Sequence, residues 1–100
     1  MKQQVKKGIL EIFVLAMLIK GDSYGYKIVN DLVEHIAITE STLYPILRRL
    51  EKAHELNTYN EVFQGRNRKY YQITKIGKKH VEEFLVEWED VRKIFDILMK

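Results

Sequence analysis

Cationic side chains crowd the middle of the chain. Between Ile38 and Lys79 there are nine Lys and Arg against four acids, and from His80 to Lys100 the balance reverses to six acids against three cations. Arg48 and Arg49 are adjacent, and Arg66, Arg68 and Lys69 fall within four residues beside Tyr70 and Tyr71. Guanidinium and ammonium groups at such density suit a polyanion: they neutralise phosphates, and arginine can also grip a guanine edge with two hydrogen bonds. A plainer account makes Arg48 and Arg49 a solvated helix face and the second cluster an ordinary hairpin tip, although three cations in four residues exceed what a turn requires. Catalytic chemistry finds little to use. Cysteine is absent, no phosphate loop, nucleophile elbow or acid pair occurs, and the two serines, Ser23 and Ser41, stand where helix caps are wanted. His35, His54 and His80 lie in separate segments with no second ligand at metal spacing, so neither a metal nor a cofactor is expected.

The elements that must position these cations follow from periodicity. One hundred residues, 46% hydrophobic and 31% charged, is the balance of one compact domain. The run Ile9 to Ile19 is apolar except for Glu11 and follows Lys2, Lys6 and Lys7, which imitates a signal peptide. Glu11 interrupts the run, no small-residue cleavage site follows, and a membrane span needs about 20 residues, so a buried helix from about Lys6 to Lys20 is expected, with no membrane partner. Ser23 can cap a second helix with Ile28, Leu32 and Ile36, joined by Val29 and Val33, on one stripe. Thr39 or Ser41 can cap a third, with Leu43, Ile46, Leu47 and Leu50 inward and Thr42, Tyr44, Arg48, Arg49 and Lys52 outward; Pro45 requires that this helix begin close by. The period then alternates on both sides of Gly65, which reads as a β-hairpin. Thr74 caps a long last helix in which Val81, Phe84, Trp88, Val91, Phe95 and Leu98 recur at spacings of three and four. That seam is too short for a free coiled coil and should pack on the body or on a second copy.

Three short helices and a hairpin in this order describe a mainly α fold with a small β-hairpin, a winged helix-turn-helix with a long C-terminal dimerisation helix. Tyr24-Gly25-Tyr26, then Thr42-Leu43-Tyr44-Pro45 with Leu47, Arg49, Leu50 and Glu51, then Gly65 through Tyr71 running into Ile73-Thr74 and Gly77, resemble the PadR family of bacterial transcriptional regulators from Gly8 to about Leu98. The absence of a second domain resembles the short subfamily, whose members dimerise through their first and last helices. One departure stands out: Ala53-His54-Glu55-Leu56 replaces the family's glycine followed by two apolar residues. Histidine adopts the left-handed conformation at greater cost than glycine, and Glu55 brings a charge, so the angle from helix to wing is where the two should differ. Asn67 replaces the usual proline or arginine at the wing tip.

The resemblance implies a cytoplasmic homodimeric repressor on a pseudo-palindromic operator of double-stranded DNA, released by a small aromatic or hydrophobic ligand. Residues 1–77 would form the DNA-binding region and 78–100 the dimerisation helix. Ser23, Lys27, Thr39, Ser41, Thr42, Tyr44, Arg48, Arg49, Arg66, Arg68, Lys69 and Tyr70 are the expected DNA contacts. Phe84, Trp88, Val91, Phe95 and Leu98 are expected at the dimer interface. In related short members the tryptophan faces its symmetry mate across an apolar pore; here Ile12, Ala16, Val81, Leu85 and Trp88 would line it, with Arg92 facing an anionic group on the ligand. A winged-helix module that binds only protein is the alternative, and an enzyme is not expected.

Overall fold

Leucine and isoleucine at helical spacing build the centre of the molecule. The computed structural model describes residues 3–100, with side chains from Gly8 onward, so Lys2 and the side chains of Lys6 and Lys7 lie outside the described residues. Helix α1 (Gln3–Ile19) buries Leu10, Val14, Leu15 and Leu18; α2 (Gly25–Leu32) adds Ile28 and Leu32, and α3 (Glu40–Lys52) adds Leu43, Ile46, Leu47 and Leu50. Each such side chain contributes about 1.5–3 kcal/mol by leaving water. The outward set on α3 is as the 3.6-residue period requires: Thr42, Tyr44, Arg48, Arg49 and Lys52 are exposed. Pro45 sits in the second turn, where it forfeits one backbone hydrogen bond.

Strands β1 (Ser23–Tyr24), β2 (Leu56–Phe63) and β3 (Arg66–Ile73) form an antiparallel sheet in the order β1-β3-β2. The hairpin turns on Gln64 and Gly65, both with positive φ (52° and 76°), the two-residue geometry whose twist matches its strands. The third strand corrects the two-stranded expectation and reassigns Ser23. Ser23 pairs with Tyr71 instead of capping α2, and the cap position passes to extended Tyr24, whose side chain makes no capping bond. α2 is also shorter than its stripe: it ends at Leu32, Ile36 is buried beyond it, and Val33 is exposed.

The His54 corner keeps the geometry a glycine would give. His54 takes φ 60°, its N–H donates to Glu51 O at 3.0 Å, and the Glu55 N–H donates to Leu50 O at 2.9 Å, a Schellman closure of α3. The Glu55 side chain is mostly buried, 13% exposed, and its carboxylate meets His80 Nδ1 on α4 (Lys75–Leu98). Thr74 completes the joint: its hydroxyl donates to His54 O (2.7 Å) and accepts from Gly77 N–H (3.1 Å), while its own N–H donates to Glu55 O (3.0 Å). The end of α3, the root of the wing and the start of α4 are thereby locked together. The rest of α4 runs outward, giving principal extents of 58 × 27 × 21 Å.

Candidate nucleic-acid interface

The outer side of α3 divides into two flanks. On one, Arg49 reaches back to α1 and pairs with Glu11 through Nε and Nη2, so Arg49 ties two helices together. On the other, Tyr44 and Arg48 face the wing. Tyr44 lies against the first turn of α2, where a Cβ added to Gly25 would stand 2.6 Å from Tyr44 Oη and 2.9 Å from its ring carbons. A side chain at position 25 would have to displace the Tyr44 ring, so the glycine of Tyr24-Gly25-Tyr26 and the tyrosine of Thr42-Leu43-Tyr44-Pro45 fit together here. At the start of α3, Thr39 accepts from Thr42 N–H (3.4 Å), and the hydroxyls of Thr39, Ser41 and Thr42 gather at 3.3–3.4 Å, all exposed. A cluster of hydroxyls at an open helix start offers hydrogen bonds to phosphate oxygens or base edges.

The wing cations divide between the two faces of the sheet. Lys69 lies on the face toward α3, 3.5 Å from Glu51 Oε1 and 5.5 Å from the centre of the Tyr71 ring. Arg66 and Arg68 belong to the opposite face with Tyr24, Tyr59, Phe63 and Tyr70. Arg66 is exposed; Arg68 is half-buried, its guanidinium carbon 4.4 Å from the centre of the Tyr24 ring. Tyr70 stacks on Tyr59 (5.5 Å, 12°) and meets Tyr24 edge-on at 5.4 Å. Tyr59 donates its hydroxyl to Asp22 Oδ2 at 2.6 Å, which pushes its pKa up to about 12. Burial raises that of Tyr71, with the Glu51 carboxylate adding to the effect. Two clefts flank Arg68. One of about 230 Å³ lies between α2, α3 and the wing, lined by Tyr24, Tyr26, Tyr44 and Lys69 among others, and one of about 520 Å³ is lined by Tyr26, Arg66, Asn67 and Arg68.

Other expected contacts stand apart from this face. Ser23 Oγ is buried without a hydrogen-bond partner, so it presents no hydroxyl to DNA. Lys27 bonds Asp31 one turn along at 2.7 Å, which raises its pKa, and it lines a different cleft with Asp22 and Glu34. Tyr24, Tyr59 and Phe63 are the residues of this surface that sequence reasoning left out; the alternation of the hairpin carried the signal, because it puts Tyr59 and Phe63 on the face of Arg68.

The six residues expected around a ligand do not converge within one chain. Ile12 and Val81 are each 5% exposed and spent on packing, whereas Leu85 and Trp88 are 57% and 51% exposed. Ala16 lines instead an apolar hollow of about 310 Å³ with Phe13, Met17, Leu32, His35 and Ile36. Arg92 pairs with Glu89 (2.8 Å) and Asp96 (3.5 Å) on its own helix; Glu89 raises the arginine's pKa, and Arg92 lowers that of Glu89. Phe84 is half-buried and stacks on Trp88 (6.3 Å, 13°), while Val91, Phe95 and Leu98 are exposed. Along α4, Lys79 pairs with Glu83 one turn on at 3.8 Å, and Glu89 pairs with Arg92. Among the described residues no group of acids and histidines could hold a metal ion, and no helix is long and apolar enough to cross a membrane.

Residues 14–83 match the transcriptional regulator PadR-like family. A transcriptional regulator from Clostridium thermocellum is 34% identical with a TM-score of 0.86, covering 100% of this chain and 99% of that one. A PadR family transcription regulator from Clostridium difficile is 29% identical with a TM-score of 0.83, covering 92% and 99%. PadR of Bacillus subtilis, solved in complex with operator DNA, shares the fold at 23% identity and a TM-score of 0.71, covering 78% of this chain and 47% of that one. A winged helix that carries the motifs of α2, α3 and the wing in order, and that superposes along its length on such regulators, belongs to the PadR-like family of transcriptional regulators, which act by binding DNA and not by catalysis.

Proposed function

We propose that the chain is a cytoplasmic, homodimeric repressor that holds a pseudo-palindromic operator in double-stranded DNA and is released by a small aromatic or hydrophobic ligand. The observation that carries the DNA reading is the cleft where Tyr44 of α3 meets Arg68 and Lys69 of the wing, with Arg48 open on α3 and Arg66 open farther along the wing. Arg48 and Arg66 are exposed, and neither has a carboxylate within ion-pairing distance among the described residues. The wing cations serve phosphates and the outer side of α3 serves base edges. Residues 1–77 are the DNA-reading region, and the distal part of helix 78–100 meets its symmetry mate. Half-sites then lie about one helical turn, roughly 34 Å, or a multiple of it apart. The aromatic ligand would stack between Trp88 and its mate, with Leu85 beside it.

Titration of labelled promoter DNA from the chain's own operon, against scrambled duplex and over a range of salt, tests the reading. Arg66→Ala should weaken both duplexes alike and reduce the salt dependence by about one charge per subunit, whereas Arg48→Ala should narrow the gap between promoter and scramble. An unchanged salt slope in Arg66→Ala, or an equal loss on both duplexes in Arg48→Ala, would reverse these assignments. No DNA binding at low salt would leave the protein-interaction module. Saturable quenching of Trp88, the one tryptophan, by planar dyes or phenolic acids tests the ligand arm; failure of every such compound removes it.

A further inference from the structure

Arg68 has a choice of partners and takes the less obvious one. Across the hairpin it stands directly opposite Glu61, yet among the described residues no carboxylate lies within ion-pairing distance of it. Its guanidinium lies instead over the ring of Tyr24 at 4.4 Å, with the Phe63 ring at 5.8 Å, and its Nε is buried without a hydrogen-bond partner. A carboxylate would have cancelled the charge that a phosphate needs. An aromatic face orients a planar cation and leaves its charge intact.

The ring that holds Arg68 is itself fixed. Tyr24 is clamped by its backbone pairing with Tyr70 in the sheet, and its ring sits edge-on to the Tyr70 ring, which stacks on Tyr59, whose hydroxyl is bound to Asp22. Tyr24 is also the residue from which α2 starts. The stack therefore ties the position of the wing cation to the helix-turn-helix, and Arg68, together with Tyr26, lines both clefts on either side.

We propose that Tyr24 is a positioning residue for DNA binding, holding the Arg68 guanidinium at a fixed distance from α3 so that it meets a backbone phosphate without first losing side-chain freedom. The proposal rests on the DNA-binding reading above. It predicts that Tyr24 acts only through Arg68, and that the ring matters while its hydroxyl does not.

The test is a double-mutant cycle on operator affinity with Tyr24→Leu, Tyr24→Phe, Arg68→Ala and the pair Tyr24→Leu with Arg68→Ala. Tyr24→Leu should weaken binding about threefold to fivefold per subunit with an unchanged salt slope, because the charge remains, and Tyr24→Phe should match the wild type. Arg68→Ala should lower the salt slope by about one per subunit, and adding Tyr24→Leu to it should cost nothing more. In the free protein, the Arg68 Nε–H resonance should be shielded by the ring and slow to exchange, and it should lose both properties in Tyr24→Leu but not in Tyr24→Phe. An equal loss from Tyr24→Leu with or without Arg68, or an Nε–H signal that Tyr24→Leu does not move, would overturn the proposal while leaving DNA binding in place. A wild-type chain that binds no DNA would overturn the functional reading, and the role of Tyr24 toward phosphate would fall with it.

Discussion

The two halves of α4 share one sequence pattern and lead different lives. From Lys75 to Phe84 the helix is closed onto its own chain: Thr74 caps it, Gly77 and Val81 are buried, and His80 is held by Glu55. From Leu85 onward the same spacing of apolar residues continues, but Leu85, Trp88, Val91, Ile94, Phe95 and Leu98 are all exposed on the single chain. Between them Arg92 pairs with Glu89 and Asp96 along the same helix. A stripe so apolar needs an outside surface to cover it, whereas the proximal half needs none. Periodicity marks a face that could be covered; it does not tell whether the same chain covers it.

The largest effect should come from breaking the distal half. Replacing Phe95 and Leu98 together by Asp puts two charges on the seam, and light scattering should then find monomer or aggregate in place of dimer, with operator affinity lost along with the second half-site. Dimer mass unchanged in the double variant would show that the seam is not the interface. The proximal half should break differently. A Cβ at Gly77 would stand 2.5 Å from Glu55 O and 2.7 Å from Ile73 Cγ1, so Gly77→Ala must push the start of α4 away from the wing root. Thermal unfolding should show a loss of about 1–3 kcal/mol with the dimer retained at low temperature. Wild-type stability in Gly77→Ala would mean that the joint gives way freely.

What could be seen in the sequence was whatever repeats within a few residues. The buried side of α3 follows from Leu43, Ile46, Leu47 and Leu50; the hairpin follows from alternation around Gly65; the seam of α4 follows from its spacing. The missing pieces depend on partners far along the chain. β1 has two residues and exists only because Ser23 and Tyr24 meet Tyr71 and Tyr70, so no period announces it. Arg48 and Arg49 look equivalent until folding brings Glu11, 38 residues away, to one of them. Arg68 was legible as a cation of the wing, but the rings that hold it are chosen by strand register.

The His54 corner offers a smaller test, one that should strengthen the closed part. The residue holds φ 60°, a conformation that costs an L-residue about 1–2 kcal/mol, part of which glycine would return as lost chain freedom. His54→Gly should therefore raise stability by about 0.5–1 kcal/mol in denaturant unfolding, with operator affinity and dimer mass unchanged, because its backbone bonds to Glu51 and Thr74 remain available. A destabilised His54→Gly would mean that the imidazole itself supports the corner.

The smallest effect is a titration that should be felt in the closed body and not in the seam. Tyr59 donates to Asp22, so ionising the phenol removes a hydrogen bond and sets two negative charges side by side; its pKa rises from 10.0 to about 12. A group raised on folding adds stability that is complete below its unfolded value and fades as pH climbs through its folded one. The contribution of Tyr59 is thus whole up to about pH 10 and disappears by about pH 12. Tyrosinate absorbance of the wild type should show a late-ionising phenol that is missing in Tyr59→Phe, while oligomeric mass holds across the same window, since the contact is at the root of the wing and far in sequence from Phe95 and Leu98. A Tyr59→Phe curve that keeps the late step would assign it to Tyr71, whose phenol is raised by burial instead.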